Sequence, residues 1–181
     1  MVMIGGAIVA RVIGDPKVHD MSRKDQASDA PWLTRTQAQT WRAYMGLSLQ
    51  MTYEMNRQLS EDADLSLADY SVLVALADSP DGRRGLTDLA SEIGWERSRL
   101  SHHLKRMCAR GLTERHPSTT DGRATDARLT PAGRDALESA AAGHVDLVQR
   151  LFFAPLTEQD VVSLGEVLDR LRIHMRDVGA L

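Results

Sequence analysis

The chain has 181 residues, 43% of them hydrophobic and 26% charged, with a formal net charge of −3. Those proportions exclude an intrinsically disordered chain apart from its ends, and the length suits one domain, or one domain with a helical extension. The single cysteine, Cys108, excludes an intramolecular disulfide and fits a reducing, cytoplasmic setting.

Residues 1–30 include the apolar run "MIGGAIVARVIG". It is short, is broken by Arg11 and has no basic stretch before it, so neither a signal peptide nor a membrane span is expected. The segment reads as a disordered leader, with Met21 as an alternative start of translation. The next segment, 31–62, opens with Thr34 and Gln37, a Thr-x-x-Gln capping box, and continues as one long helix. Trp41, Met45, Ser48, Thr52, Met55 and Leu59 form a stripe at helical spacing, flanked by Tyr44, Leu47 and Met51, so the apolar surface is wide enough for two partners.

Residues 63–130 carry the densest signals. Ser66 and Asp69 make a second capping box, and apolar residues at 70, 73, 74, 76 and 77 follow, with Pro80 and Gly82 as the stop. "GLTDLASEIGWE" (85–96) reads as a short helix with Thr87 as its N-cap and Gly94 as a left-handed end. "WERSRLSHHLKRMCARG" (95–111) follows within a few residues, which is the layout of a helix-turn-helix.

In this second helix Leu100, Leu104 and Met107 lie at i, i+4 and i+7 and form a buried seam, while Ser98, Arg99, His102, Lys105 and Arg106 project away from it. A helix that enters the DNA major groove needs this division, with short polar side chains first and cations on its flanks. Arg97, Ser101 and His103 complete the candidate contacts, and Arg99 has the donors to read a guanine. Charge agrees with this reading, since Arg83 to Arg128 holds ten Arg or Lys against six Asp or Glu inside an otherwise acidic chain.

"LTERHP" (112–117) and "RATDARLT" (123–130) alternate like strands around the turn residues "STTDG". The hairpin places Thr119 and Arg123 at its tip, where Arg123 can reach a minor groove and Asp121 can hold the guanidinium in place. Thr130 and Pro131 then start a long helix that runs to Pro155. Thr157 and Asp160 form a third capping box, ahead of Val161, Leu164, Leu168, Leu171 and Met175 at alternating steps of three and four.

Taken in order, "LTDLASEIGWERSRLSHHLKRMCARGLTER" and "DGRATDARLTPAG" resemble the MarR family of bacterial transcriptional regulators, over roughly residues 35 to 178. The resemblance implies a mainly α (α+β) fold, a winged helix-turn-helix with long N- and C-terminal dimerisation helices, the latter within 131–181. It also implies a homodimer that binds pseudo-palindromic double-stranded DNA as a repressor and often releases it when a small phenolic or lipophilic effector, or an oxidant, arrives. Independently, the wide apolar surface of the first helix and the Val161–Met175 stripe exceed what one small winged domain can bury, although the two could also pack within one chain. The effector residues the resemblance points to are Tyr44, Met51, Met55 and Tyr70, with Trp95 nearby. His102 and His103 depart from the commoner family pattern, so base preference is not carried over.

Other chemistries are weaker. The histidines lack companions at ligand spacing, no phosphate loop, nucleophile elbow or zinc-protease motif occurs, and neither a metal, a cofactor nor an enzyme activity is expected. Cys108 reads as a packed, inert thiol rather than a redox sensor. The competing class is a winged-helix protein-interaction module that does not bind DNA.

Overall fold

A computed structural model of the chain describes residues 33–79, 81–118 and 125–179. The leader 1–30, Pro80 and the hairpin tip with Thr119, Asp121 and Arg123 lie outside them. The chain divides into two units, Met1–Gln50 and Met51–Leu181. In chain order the elements are α1 (Arg35–Ala63), α2 (Leu67–Ala77), β1 (Arg83–Gly85), α3 (Leu86–Glu92), α4 (Arg97–Ala109), β2 (Thr113–Pro117), β3 (Thr125–Leu129), α5 (Pro131–Val148) and α6 (Glu158–Asp177).

The helix starts follow local chemistry. At α1 the Thr34 N–H donates to Gln37 Oε1 at 2.8 Å and the Gln37 N–H donates to Thr34 Oγ1 at 3.2 Å. The expected capping boxes also form at Ser66/Asp69 and Thr157/Asp160. Each satisfies helix-end donors that would otherwise be orphaned. Thr130 caps α5, with Pro131 at its first turn.

The expected cap at Thr87 does not form: the N-cap of α3 is Gly85, without a side-chain cap. The reason is a strand the sequence reading lacked. Residues 83–85 pair antiparallel with β3, Arg83 opposite Arg128 and Gly85 opposite Asp126, so the helix must begin as soon as the strand ends. The sheet order is β1-β3-β2, and β2 and β3 form the expected hairpin, with Thr113 opposite Leu129 and Pro117 opposite Thr125. A three-residue strand offers too few positions for alternation to show.

The core of the second unit gathers Leu59, Leu65, Val72, Leu73, Leu76, Leu89, Leu100, Leu104, Met107 and Ala127 from helices and sheet together. At the start of α5 the Thr130 hydroxyl donates to the Gly111 and Leu112 carbonyls and accepts from the Gly133 N–H, which ties α5 to the exit of α4. Gly133 allows that approach, because a Cβ there would run into the Leu112 carbonyl and stand 3.0 Å from Leu129 Cδ1.

The helix expected to reach Pro155 instead widens into a π-helical turn over Gln149–Phe153, closed by Ala154 N–H donating to the Gln149 carbonyl at 2.8 Å. Ala154 is the last backbone donor before Pro155, which has none. Along α6 only Leu164 is even partly covered, so Val161, Leu168, Leu171 and Met175 lie open in the single chain. Within α1, Trp41, Tyr44, Met45 and Leu47 are likewise exposed.

Candidate nucleic-acid interface

Helices α3 and α4 are joined by a turn in which Gly94 takes φ +66° and the Trp95 N–H donates to the Ala90 carbonyl at 2.8 Å. The left-handed residue turns the chain at once into α4, and glycine adopts it without steric cost. Leu100, Leu104 and Met107 are fully buried, as their spacing predicts. Arg97, Ser98, Arg99, His102, Lys105 and Arg106 are all exposed, with Ser101 half-buried at their margin. The start of α4 has no side-chain cap, so its first N–H groups are not satisfied by a capping side chain.

His103 does not belong to that array. It is 8% exposed, and its place three residues after Leu100 and four before Met107 puts it on the buried seam. One ring nitrogen, Nδ1, lies 3.0 Å from Arg106 Nη2. The other, Nε2, lies 2.9 Å from Asp69 Oδ1, at charge-pair distance though not aligned as a full hydrogen bond. A guanidinium only donates, so Nδ1 is the acceptor, and the proton sits on Nε2, facing the carboxylate. Burial holds the imidazole below its ordinary titration range; Asp69 opposes that, while Arg106 and Arg99 reinforce it. The imidazole is therefore neutral near pH 7 and is withdrawn from the set of groove contacts.

Asp69 is the hub of this polar seam, a role the sequence did not reveal beyond its cap. Besides the N–H and hydroxyl of Ser66, its Oδ2 accepts from Arg110 Nη1 at 2.9 Å, and Arg110 also donates to the Asp64 carbonyl at the α1–α2 corner. Burial works to raise the Asp69 carboxyl, but the Ser66 hydrogen bonds and the Arg110 and His103 contacts hold it below its ordinary range. The α4 helix is thus fixed to the start of α2 by its side chain at 103 and by Arg110 just past its end.

Arg99 is also restrained. Its guanidinium carbon lies 4.2 Å from the centroid of the Trp95 ring, and the same indole meets the His103 ring with the two planes at 89° and the centroids 5.3 Å apart.

The hairpin is braced at its base. Arg83 Nε donates to Asp126 Oδ2 at 2.8 Å, and Arg83 Nη2 donates to the Pro117 carbonyl at 2.6 Å, so one side chain of β1 spans β3 and the end of β2. The pairing exists only because β1 forms. The proposed tip contacts Thr119 and Arg123, and the supporting Asp121, lie outside the described residues.

Of the four residues pointed to for an effector, Tyr70 lines a cleft in the second unit. That cleft, about 380 Å³, is lined by Leu67, Tyr70, Ser71, Val74, Ala75, Ile93 and His144, with the acidic Glu92 at its wall. The Tyr70 and His144 rings meet at 4.6 Å, and burial lowers the His144 imidazole and raises the Tyr70 phenol. The buried Nδ1 of His144 has no hydrogen-bond partner. Met51 and Met55 are half-buried outside the cleft, Tyr44 is exposed in the first unit, and Trp95 stands with Arg99 instead. Cys108 is half-buried, with Sγ 3.5 Å from Thr113 Oγ1. Among the described residues no three His, Cys, Asp or Glu side chains cluster to hold a metal ion, and no helix is long and apolar enough to cross a membrane.

Comparison with known proteins places this geometry among regulators. A family model described as MarR family matches residues 63–124. The structure of Sco3205, a MarR family transcriptional regulator from Streptomyces coelicolor solved in complex with DNA, is 36% identical with a TM-score of 0.77, over 82% of this chain and 93% of that one. AbsC, a MarR family regulator from the same organism, is 31% identical with a TM-score of 0.76, over 82% and 99%. BpsR of Bordetella bronchiseptica, whose DNA binding is regulated by 6-hydroxynicotinic acid, shares the fold at 22% identity, TM-score 0.64, over 74% and 98%. No curated protein sequence matches the chain.

Proposed function

Because the chain belongs to the MarR family of transcriptional regulators, we propose that it is a DNA-binding repressor acting as a cytoplasmic homodimer on a pseudo-palindromic operator. The observation that carries this reading is the exposed face of α4, where Arg97, Ser98, Arg99, His102, Lys105 and Arg106 stand together on a helix seated by a buried seam. Side chains of the first turn meet base edges; Lys105 and Arg106 meet phosphates, with Ser101 at the margin. Thr119 and Arg123, with Asp121 in support, extend the contact into the neighbouring minor groove.

The open apolar faces of α1 and α6 support the dimer, since each leaves large side chains in water that a second copy would cover. Two recognition helices about 34–36 Å apart then reach successive major grooves on one side of the duplex. Occupancy blocks polymerase, and the protein's work is recognition rather than catalysis.

Release is the role of a small phenolic or lipophilic effector. The Tyr70–His144 cleft supports such a ligand, with aromatic and aliphatic side chains in its walls. A ligand that binds better to the conformer with a different helix spacing lowers DNA affinity by that difference in binding free energy.

The test is a fluorescence anisotropy titration of the duplex upstream of the protein's own gene against a scrambled duplex, at two salt concentrations. Preferential binding that weakens steeply with salt, through counterion release, is expected. Equal and weak binding to both duplexes, at a concentration where the protein is folded, would contradict it for that operator.

A further inference from the structure

The guanidinium of Arg99 already has a neighbour. Trp95 precedes it by four residues, just outside α4, and the guanidinium carbon lies over its indole at 4.2 Å from the centroid. An arginine left free in water samples many rotamers, and docking it on a base edge costs that freedom. A guanidinium stacked on an indole keeps its N–H donors in its own plane, directed outward, because stacking uses only the π face. The stack thus restrains the side chain without consuming the donors that pair with a guanine.

The indole is itself held by its neighbours. Its backbone is held by the turn at Gly94, through the Trp95 N–H bond to Ala90. His103 meets the ring at 89°, and His103 is itself hydrogen-bonded at Nδ1 by Arg106 of α4, with Nε2 2.9 Å from Asp69 of α2. Asp69 is anchored in turn by Ser66 and Arg110. An unbroken run of contacts therefore leads from the cap of α2 to the guanidinium in the first turn of α4.

We propose that Trp95, backed by His103 and Asp69, is a positioning residue that aims Arg99 at one base pair in each half-site and so sets sequence preference without touching DNA itself. The inference rests on the DNA-reading function proposed above. It predicts that specificity, more than total affinity, depends on the indole.

The test uses a pool of random-sequence duplexes about three helical turns long, selected in parallel by the full-length wild type, Trp95→Leu, Trp95→Phe, Arg99→Ala and the double variant Trp95→Leu/Arg99→Ala. Thermal melting and affinity for an unselected duplex are measured on each protein. Trp95→Leu is expected to lose base preference at the same position that Arg99→Ala loses, and to bind the wild-type-selected duplex on the order of tenfold more weakly. Its affinity for the unselected duplex and its salt dependence should stay unchanged, because no phosphate contact is removed. Trp95→Phe should restore most of the preference, and the double variant should be no worse than Arg99→Ala alone.

The inference is overturned if Trp95→Leu keeps the wild-type preference. It is equally overturned if that variant loses affinity for all duplexes in step with its melting temperature, or if the two substitutions add. A wild-type protein that enriches no sequence would overturn the DNA-reading function itself, and the inference with it.

Discussion

His103 shows how one side chain can be misplaced by its polarity. The pattern Leu100, His103, Leu104, Met107 is a core stripe at steps of three, one and three, and the periodicity alone would have put position 103 inside. Counting imidazole as a surface group hid it, and its burial is stabilised by Asp69, a residue 34 positions away that sequence marks only as a cap. Arg99, Lys105 and the Leu100–Met107 seam were legible because exposure and burial there follow hydropathy. The buried neutral state of His103 has a measurable consequence. Its folded titration point is depressed, as is that of His144, so the unfolded chain takes up protons first as pH falls below about 6.5. Their contribution to stability is present above that pH and is lost as pH drops through their folded titration points. The melting temperature should therefore fall between about pH 7.5 and 5.5. His103→Gln should remove its share of that slope in a differential scanning fluorimetry series, and an unchanged slope would show that His103 does not titrate in this way. Protonation would also set an Nδ1–H against the Arg106 guanidinium, which now donates to that atom.

Among elements, the helices were legible and the sheet only partly so. Three capping boxes, a Thr-Pro start and a left-handed glycine all act within four residues, which is the range that sequence patterns record. The start of α3 was misread at Thr87 because its true boundary depends on β1 pairing with β3, some forty residues away in the chain. Sequence offers no signal for a strand of three residues, nor for the Arg83–Asp126 brace that it permits. The brace is a part-buried pair, with Asp126 only 7% exposed overall, so removing the arginine leaves a carboxylate short of its partner. Arg83→Met is expected to cost about 2 kcal/mol of stability by urea denaturation, the range for a buried acceptor left without its donor, and to weaken DNA binding through a looser hairpin. A loss near zero would show that solvent replaces the pair at no cost.

For the molecule as a whole, the fold class and family were readable from the order of motifs, and the structural matches to Sco3205 and AbsC agree with that order. The proposed dimer has a less direct trace, the exposed apolar side chains of α1 and α6. Leu168→Glu/Leu171→Glu places two charges on the open face of α6. It should yield a monomer by sedimentation, with operator affinity lowered about 100-fold or more as the second half-site ceases to be an intramolecular event; a dimer that persists would put the interface elsewhere. The central claim, that the exposed face of α4 reads DNA as one half of a symmetric pair, is tested most directly by selecting random duplexes with the wild-type protein and reading the enriched sequence. The account predicts an inverted repeat whose half-site centres lie about 10–10.5 base pairs apart. An enriched site without two-fold symmetry would contradict the paired geometry, and no enrichment at all would contradict the reading of DNA by this chain.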